Sequence, residues 1–194
     1  MNSSMLRSPE FIIFTGPMFG SKTTRLLAAV DRYKRQQRRV IAFKPMMDDR
    51  YIKSKIKTHN GGTLGAYVVS SGEQLLQVFN EHVSNESQVV VAVDEAFMID
   101  GVAMASLDIF KRGHTVIVSS IQLSSTGRPF EEVKDMMPFA TKIEVCPAVC
   151  PVSGKDAYYT YRKSDVIDEI AVGGPEMYEP RAWYHFPPIR QEEI

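Results

Sequence analysis

Phe11-Ile-Ile-Phe-Thr-Gly-Pro-Met-Phe-Gly-Ser-Lys-Thr-Thr24 is the segment from which the rest of the chain can be read. Phe11 to Phe14 is a short apolar run and predicts a buried strand. Gly16 to Thr23 is a turn, and a helical pattern follows at once. Strand, glycine-containing loop, Lys-Thr and helix is the layout of a phosphate-binding P-loop. Backbone N–H groups of such a loop and of the helix start wrap an anion, and the helix dipole favours its charge. Gly16, Pro17, Met18, Phe19, Gly20, Ser21, Lys22 and Thr23 are therefore the candidate nucleotide-binding residues, with Lys22 reaching the terminal phosphates and the Thr23 hydroxyl ligating Mg²⁺. The pattern G-x-x-x-x-G-K-[ST] departs at one place: Ser21 stands where the second glycine belongs, and Gly20 lies one residue early. A positive φ at Ser21 would carry strain, so the expectation is that Gly20 re-forms the turn one residue sooner. An ordinary strand-to-helix turn is the alternative.

Downstream, Lys22 to about Gln37 reads as a helix, with Leu26, Leu27, Val30 and Tyr33 near helical spacing. The cations Lys34, Arg35, Arg38 and Arg39 suit the dipole at its C-terminal end. Val40–Phe43 is a second buried strand, Met46–Thr63 a polar stretch with a turn at Asn60-Gly-Gly62, and Ala66–Val69 a third strand. Glu73–His82 reads as a helix, Gln88–Val93 as the strongest strand, Val102–Lys111 as a helix and Thr115–Val118 as a strand. Strands that are apolar throughout and alternate with helices predict an α/β fold, a P-loop NTPase-like parallel sheet flanked by helices on both faces. Its sites lie at the carboxyl ends of the strands.

The pattern changes after Ser120. A helical piece spans Phe130–Met137, and from Thr141 short β-like segments (Lys142–Val145, Ala157–Arg162, Ile170–Val172) alternate with Pro and Gly. The expected organisation is a flexible N-terminus at 1–10, an α/β domain at 11–140, a small β-rich appendage at 141–186 and a flexible tail at 187–194.

The chain has 194 residues, 44% hydrophobic and 24% charged, which suits one globular domain with a small addition. With 23 basic and 23 acidic residues the formal net charge is zero, which argues against a nucleic acid as partner. No run approaches the ~20 apolar residues of a membrane span, so no membrane partner is expected. The first residues lack a signal-peptide core, and two nearby cysteines, Cys146 and Cys150, make no disulfide framework. A cytoplasmic protein is expected.

The second chemical signal is Val89-Val-Val-Ala-Val-Asp94-Glu95. An apolar strand ending in Asp-Glu fits a Walker B element, where Asp94 holds Mg²⁺ and Glu95 takes a proton from an attacking hydroxyl or water. A turn capped by Asp94 is the plainer reading of the same residues.

Together these segments resemble the type II thymidine kinase family of cellular, bacterial and viral origin. Gly16-Pro-Met-Phe19 with Lys22-Thr23 resembles its P-loop, with Ser and Gly transposed. Phe43-Lys-Pro-Met-Met-Asp48-Asp-Arg50-Tyr51, Thr58-His59, Asp94-Glu95-Ala96, Gly113–Val118, Arg128-Pro129-Phe130, Val172-Gly-Gly174 and Tyr178-Glu-Pro-Arg181 are similar to family segments in the same order. The resemblance covers about residues 11–186. It implies a lasso-type appendage and transfer of the ATP γ-phosphoryl group to the 5′-hydroxyl of thymidine or a related pyrimidine deoxynucleoside. Glu95 falls at the catalytic base, and Asp48 and Arg50 at charged positions beside the transfer site. Met18, Phe130 and Tyr178 fall at positions that hold the nucleoside, and Glu169, Ile170, Ala171, Val172 and Gly173 at backbone contacts to the base. A homotetramer is also implied.

The departures cluster around the substrate pocket. Phe97 stands where the family has Gln after Asp-Glu-Ala, with one residue fewer nearby. Gln122 replaces an Asp after the Val-Ile-Val strand, and Ser125 replaces an aromatic. The family's structural zinc site is reduced to Cys150 and His185, two of the about four ligands such a site needs. The appendage is therefore expected to fold without zinc, with Tyr158, Tyr159, Trp183 and Tyr184 filling the metal's place. An NTPase of other specificity and a non-catalytic protein on a decayed kinase scaffold are the alternative functions.

Overall fold

The computed structural model describes residues 8–46, 55–58, 61–83, 88–163 and 173–187. In chain order the elements are β1 (Phe11–Thr15), α1 (Lys22–Arg35), β2 (Val40–Pro45), β3 (Lys55–Lys57), β4 (Thr63–Gly65), β5 (Tyr67–Val69), α2 (Gly72–His82), β6 (Val90–Val93), α3 (Val102–Lys111), β7 (Thr115–Ser120), α4 (Glu131–Met136), β8 (Lys142–Val145), β9 (Ala148–Val149), β10 (Asp156–Ala157), β11 (Tyr159–Arg162) and β12 (Tyr178–Arg181). Six strands form one parallel sheet in the order β5-β2-β6-β7-β1-β8.

The apolar strands are buried on both faces, as an all-parallel sheet requires. Successive residues of β1 divide between two cores. Ile12 and Phe14 join Leu26, Val30 and Tyr33 of α1. Phe11 and Ile13 join Leu75 and Phe79 of α2 and Val102, Ala105 and Ile109 of α3 on the other face. The helix spacing in α1 and the continuous apolar runs of β1, β6 and β7 are one pattern seen from its two sides.

Two elements differ from the expectation. The polar stretch before Thr63 contains a small antiparallel pair, β3 with β4, which buries Ile56 and Leu64 in the α1 core. Only one residue in each short strand is apolar and buried, too sparse a signal for periodicity. The strand at Lys142–Val145, placed in the appendage by sequence, pairs with β1 and forms the edge of the main sheet. Beyond it lie two small antiparallel pairs, β9 with β10 and β11 with β12. The expected strand at Ile170–Val172 and the N-terminal segment 1–7 and tail 188–194 lie outside the described residues. Among the described residues, no helix is long and apolar enough to cross a membrane.

Candidate active site

The ends of β1 and β6 stand on the same edge of the sheet, with β7 between them. β1 stops at Thr15 and α1 starts at Lys22, so residues 16–21 are the turn. Pro17 C=O accepts from Gly20 N–H at 3.2 Å and from Lys22 Nζ at 2.7 Å, which holds the buried ammonium inside the loop. Ser21 takes the left-handed conformation, φ 58° and ψ 22°, and its hydroxyl makes no cap bond to α1.

The expectation that Gly20 re-forms the turn is not met. Phe19 (φ 65°) and Ser21 carry the left-handed angles, and Gly20 between them does not. Gly20 serves a different need, which is space. A Cβ there would stand 2.4 Å from the Cys146 carbonyl oxygen, and one at Gly16 would stand 2.2 Å from the same atom. The Cys146 carbonyl, just past β8, is seated against both ends of the loop. Cys146 N–H in turn donates to Thr15 C=O at 2.7 Å.

Asp94 directly follows β6 and is almost fully buried, at 6% exposure. Its carboxylate accepts from the Thr23 hydroxyl at 3.0 Å and from the Ser119 hydroxyl of β7. The P-loop helix and the Walker B strand therefore meet through Thr23 and Asp94. Glu95 follows in a left-handed conformation, φ 50° and ψ 45°, uncommon for a residue with a side chain. A tight turn at Ala96–Met98 comes next, and Phe97 N–H donates to the Ser120 hydroxyl at 3.0 Å. Asp94 and Thr23 offer hard oxygen donors side by side, a set that fits Mg²⁺, an ion that takes few protein ligands and keeps its waters.

Beside this edge lies an apolar wall. Phe97, Ile121 and Val133 are buried, with Met18, Met98, Phe130 and Met137 packed on them. The rings of Phe97 and Phe130 are 4.7 Å apart. Of the residues expected at the substrate pocket, the fold thus gathers Met18, Phe97 and Phe130. Tyr178 is buried on β12, with Arg162 over its ring at 5.3 Å and Arg162 Nη2 donating to its hydroxyl at 2.9 Å. Gly173 is packed by the Met177 side chain. Asp48, Arg50, Glu169, Ile170, Ala171 and Val172 lie outside the described residues.

The small β-rich unit touches the phosphate loop directly. Thr160 of β11, paired with Pro180 of β12, accepts Met18 N–H on its hydroxyl at 2.9 Å. Phe19 packs against the cluster Ala148, Cys150, Ala157 and Ala182. Cys150 is fully buried there. Burial raises its pKa, yet hydrogen bonds from the Ser153 hydroxyl and the N–H groups of Ala182, Ser153 and Val152 outweigh it and bring the thiol down to about 7. The expected aromatic filling is corrected. Tyr159 stacks on Phe186 at 4.9 Å, but Trp183 is 49% and Tyr184 73% exposed. The ring packed on the Cys150 cluster is that of Phe19, from the phosphate loop. His185 sits in the Trp183–His185 turn, and among the described residues no group of three or more His, Cys, Asp or Glu side chains is arranged to hold a metal.

Residues 10–186 match the profile of the thymidine kinase family. The chain belongs to the thymidine kinase family. It is 34% identical over 181 residues to a thymidine kinase of Pyrobaculum aerophilum, covering 90% of this chain and 97% of that protein. It is 35% identical over 180 residues to a thymidine kinase of Thermococcus kodakarensis, covering 89% and 91%. Thr160, Ser119 and Ser120 hydrogen-bond to the candidate residues Met18, Asp94 and Phe97, contacts that sequence reasoning missed. Each acts by a hydrogen bond to a residue distant in sequence, and no local pattern signals that. Gln122, visible only as a departure from the family, accepts on Oε1 from the Thr15 hydroxyl at 2.8 Å and from Gly16 N–H at 2.7 Å.

Proposed function

We propose that the protein is an ATP-dependent thymidine kinase that transfers the γ-phosphoryl group to the 5′-hydroxyl of thymidine or a related pyrimidine deoxynucleoside. The observation that carries this reading is the Thr23–Asp94 hydrogen bond, which joins the phosphate loop to the Walker B strand within a chain of the thymidine kinase family. Residues 16–23 form the phosphate loop, with the backbone N–H groups of Ser21, Lys22 and Thr23 at the start of α1 as donors, and a phosphate oxygen competes with Pro17 C=O for the Lys22 ammonium. Thr23 and Asp94 would hold Mg²⁺, which when bound neutralises charge on the transferring group. Glu95 takes the proton of the attacking hydroxyl, and its left-handed backbone is the kind of local strain found at functional positions. Met18, Phe97 and Phe130 form the wall against which the base packs, and on the family resemblance Tyr178 would hold the nucleoside while the backbone of residues 169–173 would contact the base. Asp48 and Arg50 flank the transferring phosphoryl group. A homotetramer, a cytoplasmic setting and a β-rich unit closing over the nucleoside complete the reading, on the family resemblance.

The experiment is phosphorylation of a panel of deoxynucleosides, including 5-substituted uridines, with ATP and Mg²⁺. Glu95→Gln is expected to bind ATP like the wild type and to lose about 10²–10⁴-fold in rate, the usual weight of a general base. Full activity in that variant would remove Glu95 from the mechanism. ATP hydrolysis independent of any nucleoside would point to an NTPase instead.

A further inference from the structure

We propose that Gln122 is a positioning residue that keeps the phosphate loop in register with the wall of the nucleoside site. The proposal rests on the kinase reading above. Gln122 has two arms. Its side-chain oxygen takes Gly16 N–H and the Thr15 hydroxyl, at the point where the chain leaves β1 for the loop. Its backbone carbonyl takes Phe130 N–H at 3.1 Å. Gly16 N–H can only donate, so the oxygen branch of the amide is committed to the loop. On its other side Gly16 meets the Cys146 carbonyl, which leaves no room for even a Cβ. Phe130 in turn packs on Phe97, in the cluster that includes Met18.

One residue thus links the start of the loop that carries Lys22 to the ring that lines the base pocket, over a sequence separation of 106 residues on the loop side. Phosphoryl transfer needs donor and acceptor about 3–3.5 Å apart and in line, and a displacement of about 1 Å costs roughly 100-fold. A link of this kind acts on the relative placement of two bound substrates. Its loss therefore belongs in kcat, with each substrate still bound by its own contacts.

The test compares Gln122→Leu, Gln122→Asn and Gln122→Glu in the full chain. Leu has no acceptor, Asn withdraws it by one methylene, and Glu keeps an oxygen at the same reach. Thermal midpoint, kcat, KM for ATP and thymidine, and calorimetric binding of a non-hydrolysable ATP analogue are measured for each. For Leu and Asn, kcat is expected to fall about 10- to 100-fold while both KM values and analogue affinity stay within about threefold. Glu is expected to regain most of kcat. The proposal is overturned if either Leu or Asn keeps kcat within about twofold, if the loss lies only in KM for ATP and analogue affinity, or if Glu is folded and as slow as Leu. Should Leu not fold, Asn and Glu carry the same comparison. A wild type that binds the analogue and phosphorylates no nucleoside would instead sink the kinase reading.

Discussion

At the scale of single residues, the phosphate loop has exchanged the places of freedom and space. Ser21 holds a left-handed backbone that costs a side-chain-bearing residue about 1–2 kcal/mol, while Gly20 holds an ordinary one and is needed for its missing Cβ. Ser21→Gly is expected to stabilise the protein by about 0.5–1 kcal/mol, since the relieved strain exceeds the entropy added to the unfolded chain. Gly20→Ser is expected to destabilise it and weaken ATP binding, because its Cβ meets backbone that cannot swing aside. Urea denaturation of the two single variants checks both signs, and a double variant alone would hide them. Lys22, Thr23, Asp94 and Glu95 could be named as candidates from the sequence, because the pattern that marks them is local: a loop before a helix and an acid pair after a strand. Gln122, Ser119 and Thr160 could not, because each is defined by a partner far along the chain.

At the scale of elements, the helices show how caps can come from elsewhere. α3 begins after Gly101, at φ 72°, which has no side chain to cap it. Glu132 of α4 supplies the missing acceptor, taking Gly101 N–H and Ala103 N–H at 2.7 Å each. Glu132→Ala is expected to cost about 1–3 kcal/mol, as a charged acceptor at a helix N-terminus is lost with two bonds. Glu132→Gln, which keeps the oxygen, is expected to recover part of it, read from the shift in urea midpoint. The bounds of α3 could be read from sequence because its apolar positions recur at helical spacing up to Gly113. The β3–β4 pair and the docking of β8 could not. Three- and four-residue strands have too few positions for a period, and β8 is half polar because it is an edge.

At the scale of the whole molecule, the small β-rich unit and the α/β sheet share the phosphate loop as their contact, through Met18 with Thr160 and Phe19 with the Cys150 cluster. The lowered pKa of the Cys150 thiol predicts that this contact is pH-sensitive. Its pKa is about 7 in the fold against an ordinary 9.0, so the folded state favours the thiolate. The contribution is absent below about 7, grows as pH rises through the window from 7 to 9, and is complete above it. The difference in thermal midpoint between wild type and Cys150→Ala is therefore expected to widen from pH 7 to 9 and then level. A difference that stays flat would show that the thiol does not ionise in the fold. The Cys146 carbonyl seated against Gly16 and Gly20 bears on something else, the order in which the protein comes into being. The loop is made first, and the strand that braces it follows more than a hundred residues later. Until that late strand docks beside β1, the nascent chain carries the nucleotide motif without its finished shape. The shape of the loop is thus completed only once β8 has been made, and a nascent chain without it is expected to bind nucleotide poorly.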